Sequence, residues 1–145
     1  MADDFTQCMV SNSRMAARAI TRRYDAYLRP YGVTATQLSL MGGMSMVPGS
    51  TVSQLSEARG FERTTLTRNL DKLEQMGLVA SAARGRGRVP ALTKKGEALI
   101  AELLPLWRKA QDDFVGRLPE ATDGAIREDF RLLRRAAKGI LTEAS

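Results

Sequence analysis

The apolar positions of this chain recur at intervals of three and four residues over most of its length, which is the spacing of α-helices. The first such segment runs from about Phe5 to Leu28 and is closed by Gly32. Two capping boxes mark the starts of two further helices: TATQ at 34–37 and TVSQ at 51–54 each place a threonine three residues before a glutamine. The pattern predicts a mostly helical protein.

The helix predicted after Gly60 has an apolar stripe on one side and hydroxyl and guanidinium groups on the other. Leu66, Leu70 and Leu73 form the stripe. The outer side carries Arg63, Thr64, Thr67 and Arg68, with Thr65 and Asn69 at its flanks. A short helix, a glycine turn and this second helix are typical of a helix-turn-helix, in which arginine and threonine side chains read bases in the major groove. An ordinary surface helix is the alternative.

Alternating arginines follow at the tip of a predicted β-hairpin. Leu78–Ala80 and Val89–Leu92 predict its two strands, and RGRGR at 84–88 lies between them. We expect these arginines to lack carboxylate partners in the protein, so their counterions are expected to be phosphates of another molecule, met along the DNA backbone or in a narrow minor groove. A nonspecific basic loop is the alternative.

The formal charge of +6 is concentrated in about a quarter of the chain. Residues 59–95 contain nine basic and three acidic side chains, whereas the remaining 13 basic and 13 acidic side chains balance. This distribution is typical of a surface that binds phosphate. A solvated basic face without a partner is the alternative.

The C-terminal third predicts two more helices with apolar stripes. Thr93 caps a helix that runs to about Phe114 with Pro105 inside it, and Pro119 marks the next break. The final helix places six apolar residues on one side: Ile126, Phe130, Leu133, Ala137, Ile140 and Leu141. The apolar surface of these helices is larger than a small DNA-binding lobe can cover, so we expect a homodimer in which a second subunit covers it. Packing inside a monomer is the alternative.

The composition argues against several classes of protein. No stretch approaches the roughly 18 consecutive apolar residues of a membrane span, and the acidic, polar N-terminus is unlike a signal peptide, so we expect a cytoplasmic protein. One cysteine and no histidine argue against a disulfide framework and a metal site. Since no nucleophile and base pair or phosphate-binding glycine loop can be assembled, we expect neither an enzyme nor a cofactor.

The run RTTLTRNLDKLEQMGLV, the arginine-rich hairpin and LTKKGEALI, in this order, resemble the winged-helix core of the MarR family of bacterial multiple antibiotic resistance regulators. The resemblance extends through RAITRRYDAYLRPYGVTATQLSLM and LLPLWRKAQ, and so covers nearly the whole chain. It implies a mostly α-helical fold with a small β-wing, in which a winged helix-turn-helix lobe at 33–93 lies between dimerisation helices at 1–32 and 94–145. The hairpin departs from the family in being short and in lacking an aspartate beside its arginines.

The family's contacts carry over by position. The resemblance implies base or backbone contact by Arg63, Thr64, Thr65, Thr67 and Arg68, and wing contact with the minor groove by Arg84, Arg86 and Arg88. It also implies that a small, often aromatic, anionic ligand binds between the dimerisation helices and the DNA-binding lobe and weakens DNA affinity. Candidates to line that cleft are Tyr24, Tyr31, Met41, Met44 and Trp107, for which plain core packing is the alternative.

Cys8 is a candidate redox residue through the resemblance alone. The peroxide-sensing branch of the family has an N-terminal cysteine near the dimer interface, paired with a tyrosine where this chain has Ala35. No basic residue lies closer in sequence than Arg14, so nothing in the local sequence activates the thiol.

Two functional hypotheses follow. The leading one is a homodimeric, sequence-specific regulator of transcription, most simply a repressor released by a ligand, that binds double-stranded DNA at a pseudo-palindromic site with half-sites about 34 Å apart. The alternative is a helical interaction module whose basic face binds an acidic protein. The hydroxyls of Thr64, Thr65 and Thr67 favour the first, because purely electrostatic binding does not need them.

Overall fold

The computed structural model describes residues 4–139 and confirms a mostly helical protein with one β-hairpin. The helices are α1 (Met9–Leu28), α2 (Ala35–Met46), α3 (Val52–Arg59), α4 (Arg63–Gln75), α5 (Lys94–Val115) and α6 (Asp123–Ala137). The strands are β1 (Val79–Arg84) and β2 (Gly87–Leu92), and short 3-10 turns lie at Phe5–Gln7 and Arg29–Tyr31. The chain divides into two compact units, Met1–Trp107 and Arg108–Ser145.

Both predicted capping boxes are confirmed. The Thr34 hydroxyl accepts a hydrogen bond from the Gln37 amide at 3.1 Å, and the Gln37 side chain accepts one from the Thr34 amide at 3.0 Å. The same pair of bonds joins Thr51 and Gln54 at 3.2 and 2.9 Å. Gly60 then ends α3 with a φ of 69°, a conformation that glycine adopts without strain, and turns the chain into α4.

The core of the first unit fixes the orientation of α4. Leu66, Leu70 and Leu73 have no exposed surface, and they pack in one cluster with Leu40 of α2 and Leu55 of α3. Burying a leucine side chain contributes about 1.5–3 kcal/mol, so three such residues on one side determine which side of α4 faces the solvent. The predicted stripe is therefore confirmed, and the opposite side is left for contacts with another molecule.

Helix α5 begins against the base of the hairpin. The Thr93 hydroxyl accepts a hydrogen bond from the Gly96 amide at 3.1 Å and donates one to the Gly77 carbonyl at 2.6 Å. The Lys95 ammonium donates to the Met76 carbonyl at 2.8 Å. The start of α5 therefore satisfies carbonyl groups at the end of α4, just before β1 begins.

The hairpin is confirmed, but its strands are longer than predicted. The register pairs Ser81 with Pro90 and Ala83 with Arg88, and the turn comprises only Gly85 and Arg86. Gly85 has a φ of +61°, which favours glycine at the first central position of a two-residue turn. Two of the three arginines predicted for the hairpin tip, Arg84 and Arg88, therefore lie within paired strands, where their side chains have fixed directions.

The second unit contains α6, whose outer surface carries apolar side chains. Phe130 and Leu133 are 46% and 40% exposed, and Leu132 is 49% exposed. Ile126 is half-buried, whereas the predicted stripe positions Ile140 and Leu141 lie outside the described residues. Within residues 4–139, no helix is both long enough and apolar enough to cross a membrane.

Candidate nucleic-acid interface

The outer side of α4 presents the polar residues that the sequence predicted. Arg63, Thr64, Thr67 and Arg68 are exposed, and with Asp71 they line a shallow depression on the surface of the helix. Thr65 is half-buried and does not line this depression; its carbonyl accepts a hydrogen bond from the Asn69 side chain at 2.9 Å. The face combines guanidinium donors with hydroxyls that donate and accept, which suits the edges of base pairs.

A second depression joins α4 to the start of α3 and to the hairpin. Its lining is polar and basic: Thr51, Val52, Ser53, Arg63, Thr67, Arg86, Gly87 and Arg88. Two hydroxyl residues of this set, Thr51 and Ser53, were not among the predicted contacts, because the sequence marks Thr51 as a helix cap and nothing marks Ser53. Hydroxyl and guanidinium groups thus meet on one surface, and such donors are suited to phosphate oxygens.

The three hairpin arginines have different surroundings. Arg84 donates a hydrogen bond at 3.4 Å to the carbonyl of Gly49, in the loop between α2 and α3. Arg86 is exposed in the turn, and no hydrogen bond or ion pair to it occurs within residues 4–139. Arg88 points back to α4. Of the three, Arg86 therefore has the guanidinium most available to another molecule.

The expectation that these arginines lack carboxylate partners is wrong for Arg88. Its two terminal nitrogens lie 3.1 Å from Asp71 Oδ1 and 2.8 Å from Glu74 Oε2, and its Nε donates to the Ser81 hydroxyl at 3.0 Å. The Ser81 hydroxyl in turn donates to Glu74 Oε1. The carboxylates lie 17 and 14 positions before Arg88 in the sequence and come within reach through the register of the hairpin.

The hydrogen bonds of this cluster favour the charged forms of Glu74 and Arg88. Hydrogen bonds from Ser81 and then from Arg88 hold the pKa of the Glu74 carboxyl below its ordinary value. The hydrogen bond to Glu74 raises the pKa of the Arg88 guanidinium above its ordinary value. We name these four residues, Asp71, Glu74, Ser81 and Arg88, the wing clasp.

The first unit also contains a half-open cavity of about 570 Å³. Its lining is mostly apolar: Ile20, Thr21, Tyr24, Leu28, Ala35, Leu38, Ser39, Gly42, Ser45, Met46, Arg59, Ile100, Leu104 and Trp107. Arg59 is the one charged side chain among these described residues. Its side chain crosses α2 at Gly43, where its Cγ and Nε lie 3.5 Å from the position a Cβ would occupy.

Two of the five predicted cleft residues line this cavity, namely Tyr24 and Trp107. The other three do not line it: Met41 and Met44 are 0% and 5% exposed in the core, and Tyr31 packs against the core. The physical reason is the orientation of α2, because the two methionines lie on the side that packs with the leucine cluster.

The remaining predicted site residue, Cys8, is half-buried at the cap position that precedes α1. Its thiol makes no capping hydrogen bond to the helix, while its carbonyl accepts one from the Asn12 side chain at 2.9 Å.

Comparison with known proteins decides the family. A model of the MarR family matches residues 31–88. The transcriptional regulator MosR of Mycobacterium tuberculosis is 36% identical, and the superposition covers 94% of this chain and 99% of MosR with a TM-score of 0.82. The chain belongs to the MarR family. This MarR-family protein is a DNA-binding transcriptional regulator, and its relatives are regulators of transcription, not enzymes.

Further solved structures share the fold of this MarR-family protein. MosR in complex with DNA is 36% identical, covers 94% of this chain and 100% of its own, and superposes with a TM-score of 0.81. A mutant of Escherichia coli MarR, complexed with operator DNA, is 23% identical over 93% of this chain and 99% of its own, with a TM-score of 0.76. Bordetella bronchiseptica BpsR is 20% identical over 95% of this chain and 99% of its own, with a TM-score of 0.79. The fold identifies α3 and α4 as the helix-turn-helix and the β1–β2 hairpin as the wing.

Proposed function

We propose that this protein is a homodimeric repressor that binds a pseudo-palindromic duplex, with α4 in the major groove and the wing over the adjacent minor groove. The observation that carries the proposal is the continuity of the surface: Arg63 and Thr67 of α4 line one depression together with Arg86 of the wing turn. A DNA duplex that lies across this depression contacts both α4 and the wing. The excess positive charge of residues 59–95 attracts its phosphates.

Within this interface, α4 supplies base contacts and the wing supplies backbone contacts. Exposed Arg63, Thr64, Thr67 and Arg68 belong to the first group, and Thr65 adds contact at the edge of the face. A bidentate arginine–guanine contact discriminates against the wrong base by about 1–3 kcal/mol. Arg86 is the principal wing contact to DNA, and Arg84 adds a second positive charge to the wing.

The apolar surface of α6 supports the homodimer. Phe130 and Leu133 lie one helical turn apart on the same side and are both substantially exposed, as is expected of residues that a second subunit covers. A two-fold axis would set two copies of α4 about one turn of DNA apart, roughly 34 Å, which matches the symmetry of a pseudo-palindrome.

The cavity of the first unit supports release by a small aromatic anion. Tyr24, Trp107 and Arg59 line it, so the lining includes two aromatic residues and one residue with a positive charge. The structure of BpsR, which shares this fold, concerns regulation of DNA binding by 6-hydroxynicotinic acid. Arg59 is also the last residue of α3 and precedes the Gly60 turn into α4. A ligand that pairs with Arg59 would therefore bind next to the turn that sets the orientation of α4.

The test is selection of bound duplexes from a random pool, followed by affinity measurements on the winner and on random DNA at two salt concentrations. A pseudo-palindromic winner, bound far more tightly than random DNA by a dimer, is the expected result. Weak binding without sequence enrichment that disappears as salt rises would contradict the proposal and favour an acidic protein partner.

A further inference from the structure

We propose that Arg88 is a positioning residue for DNA binding, which fixes the wing against α4 and covers two carboxylates that α4 would otherwise present beside the DNA. The inference rests on the proposed placement of α4 and the wing on the duplex. It assigns to Arg88 a different role from that of Arg86, although both are arginines of the same wing.

The geometry of the wing clasp uses the whole guanidinium group. All three of its nitrogens are engaged, two with carboxylates of α4 and one with the Ser81 hydroxyl of β1. Asp71 and Glu74 are three positions apart and therefore lie on the same side of α4. The Arg88 side chain is 30% exposed. A guanidinium held in this way is not free to turn toward a phosphate without giving up three partners.

The clasp is the main polar connection between the wing and α4. Within residues 4–139, the other side-chain hydrogen bond from the outer half of the hairpin to the rest of the protein is the long one, 3.4 Å, from Arg84 to the Gly49 carbonyl. A two-stranded hairpin is marginally stable by itself, so its orientation depends on such anchors. Loss of Arg88 would remove this anchor, so the hairpin would open more often and its direction relative to α4 would be less fixed.

The clasp also has an electrostatic consequence at the interface. Asp71 is 55% exposed and lines the same depression as Arg63 and Arg68, where the DNA is proposed to lie. Two of the three carboxylates in residues 59–95 are paired with Arg88. Without that partner, Asp71 would face the phosphate backbone as an uncompensated negative charge, and Glu74, three positions further along α4, would lose its ion pair. Arg88 therefore supports DNA affinity by neutralising carboxylates of the protein that would otherwise repel the phosphates.

A double-mutant cycle on DNA affinity separates the two roles. Arg88→Ala is compared in the natural protein and in an Asp71→Asn, Glu74→Gln background, and Arg86→Ala serves as the matched control in both. For a positioning residue we expect Arg88→Ala to weaken binding at least about fivefold in the natural protein, and most of that loss to vanish in the neutral background. Arg86→Ala should reduce DNA affinity by the same factor in both backgrounds, within about twofold.

If Arg88→Ala reduced DNA affinity equally in the natural protein and in the neutral background, the proposal would be overturned, because the guanidinium would then contact the DNA directly. Arg88→Lys provides a second discriminating variant. A lysine keeps the charge but concentrates its donors on one nitrogen and lacks the planar fork by which separate nitrogens of Arg88 reach Asp71, Glu74 and Ser81, so a positioning role predicts that it fails to restore full affinity. Full affinity of Arg88→Lys would overturn the proposal. Thermal unfolding of each variant establishes that it is folded.

A DNA-free measurement keeps this inference separate from the proposed function. Amide hydrogen exchange in the hairpin, residues 79–92, should accelerate in Arg88→Ala and stay unchanged in Arg86→Ala, because only the first loses an anchor. Equal exchange rates in the two variants would contradict the anchoring role of the wing clasp, even if a specific operator sequence were found. Failure to select any DNA sequence would instead count against the proposed function.

Discussion

Gly96 of α5 lies so close to Leu78 that a Cβ at position 96 would stand 2.1 Å from the Leu78 carbonyl oxygen. This distance is far below any van der Waals contact, and the neighbouring atom belongs to the backbone, which cannot rotate away. We therefore expect Gly96→Ala to lower the free energy of unfolding by about 3 kcal/mol or more, at the upper end of overpacking effects. Chemical denaturation measures it.

The control for Gly96 is Gly42, which is also helical but has nothing within 4 Å of the position that a Cβ would occupy. Gly42→Ala should be neutral or should stabilise the protein by up to about 1 kcal/mol, because alanine is the better helix former. Equal effects of the two substitutions on stability would show that the close approach of α5 to Leu78 does not restrict the residue at position 96.

The second prediction concerns sequence preference. Arg63 is the first residue of α4 and lines both depressions of the interface. Arg63→Ala should reduce the discrimination between the selected operator and single-base variants by about 1–3 kcal/mol at one position of each half-site. Competition binding with a set of substituted duplexes measures this. Arg127→Ala, which removes an arginine paired with Asp123 on α6, should leave the preference intact.

The third prediction concerns the wing turn. Because Arg86 is exposed and its contact is proposed to be with phosphate, Arg86→Ala should weaken binding to all duplexes alike and reduce the slope of log K against log salt by about one. Affinity measured over a series of salt concentrations gives the slope. A loss confined to certain sequences, with the slope unchanged, would point to base readout by Arg86 instead.

How far these contacts could be predicted from the sequence depends on the range of the interactions. The capping boxes at Thr34 and Thr51 and the leucine stripe of α4 are local patterns, and both were predicted correctly. The partners of Arg88 were missed, because they depend on the strand register and on how the hairpin packs on α4. No composition or periodicity signal encodes that geometry.

The cavity shows the same limit. Helical spacing alone does not say which side of an apolar helix meets the core, and α2 is apolar over much of its surface. Met41 and Met44 were therefore assigned to the cleft, although they pack in the core, while Gly42 and Arg59 line the cavity. Glycine and arginine carry no local signal for a ligand site.

The fourth prediction follows from the lowered pKa of Glu74. A carboxyl whose pKa is lower in the folded protein than its ordinary value of 4.5 contributes stability above that pH and loses it as the pH falls through the lowered pKa. Glu74→Gln should therefore lower the melting temperature at about pH 7, and the difference from the natural protein should shrink below about pH 4. Thermal unfolding across this range measures it. A difference that is constant with pH would mean that the ionised form of Glu74 is not what stabilises the wing.

The last prediction tests the cavity as the effector site. Trp107 is the only tryptophan of the sequence and lines the cavity, so an aromatic carboxylate such as salicylate should quench its fluorescence on binding. A leucine side chain at position 42 would extend into the open space beside α2, so Gly42→Leu should abolish the quenching and also the effect of salicylate on operator affinity. Arg59→Ala should weaken salicylate binding more than binding of its uncharged amide, because only the acid pairs with the guanidinium. Quenching that survives Gly42→Leu, or equal losses for acid and amide, would place the effector elsewhere on the protein.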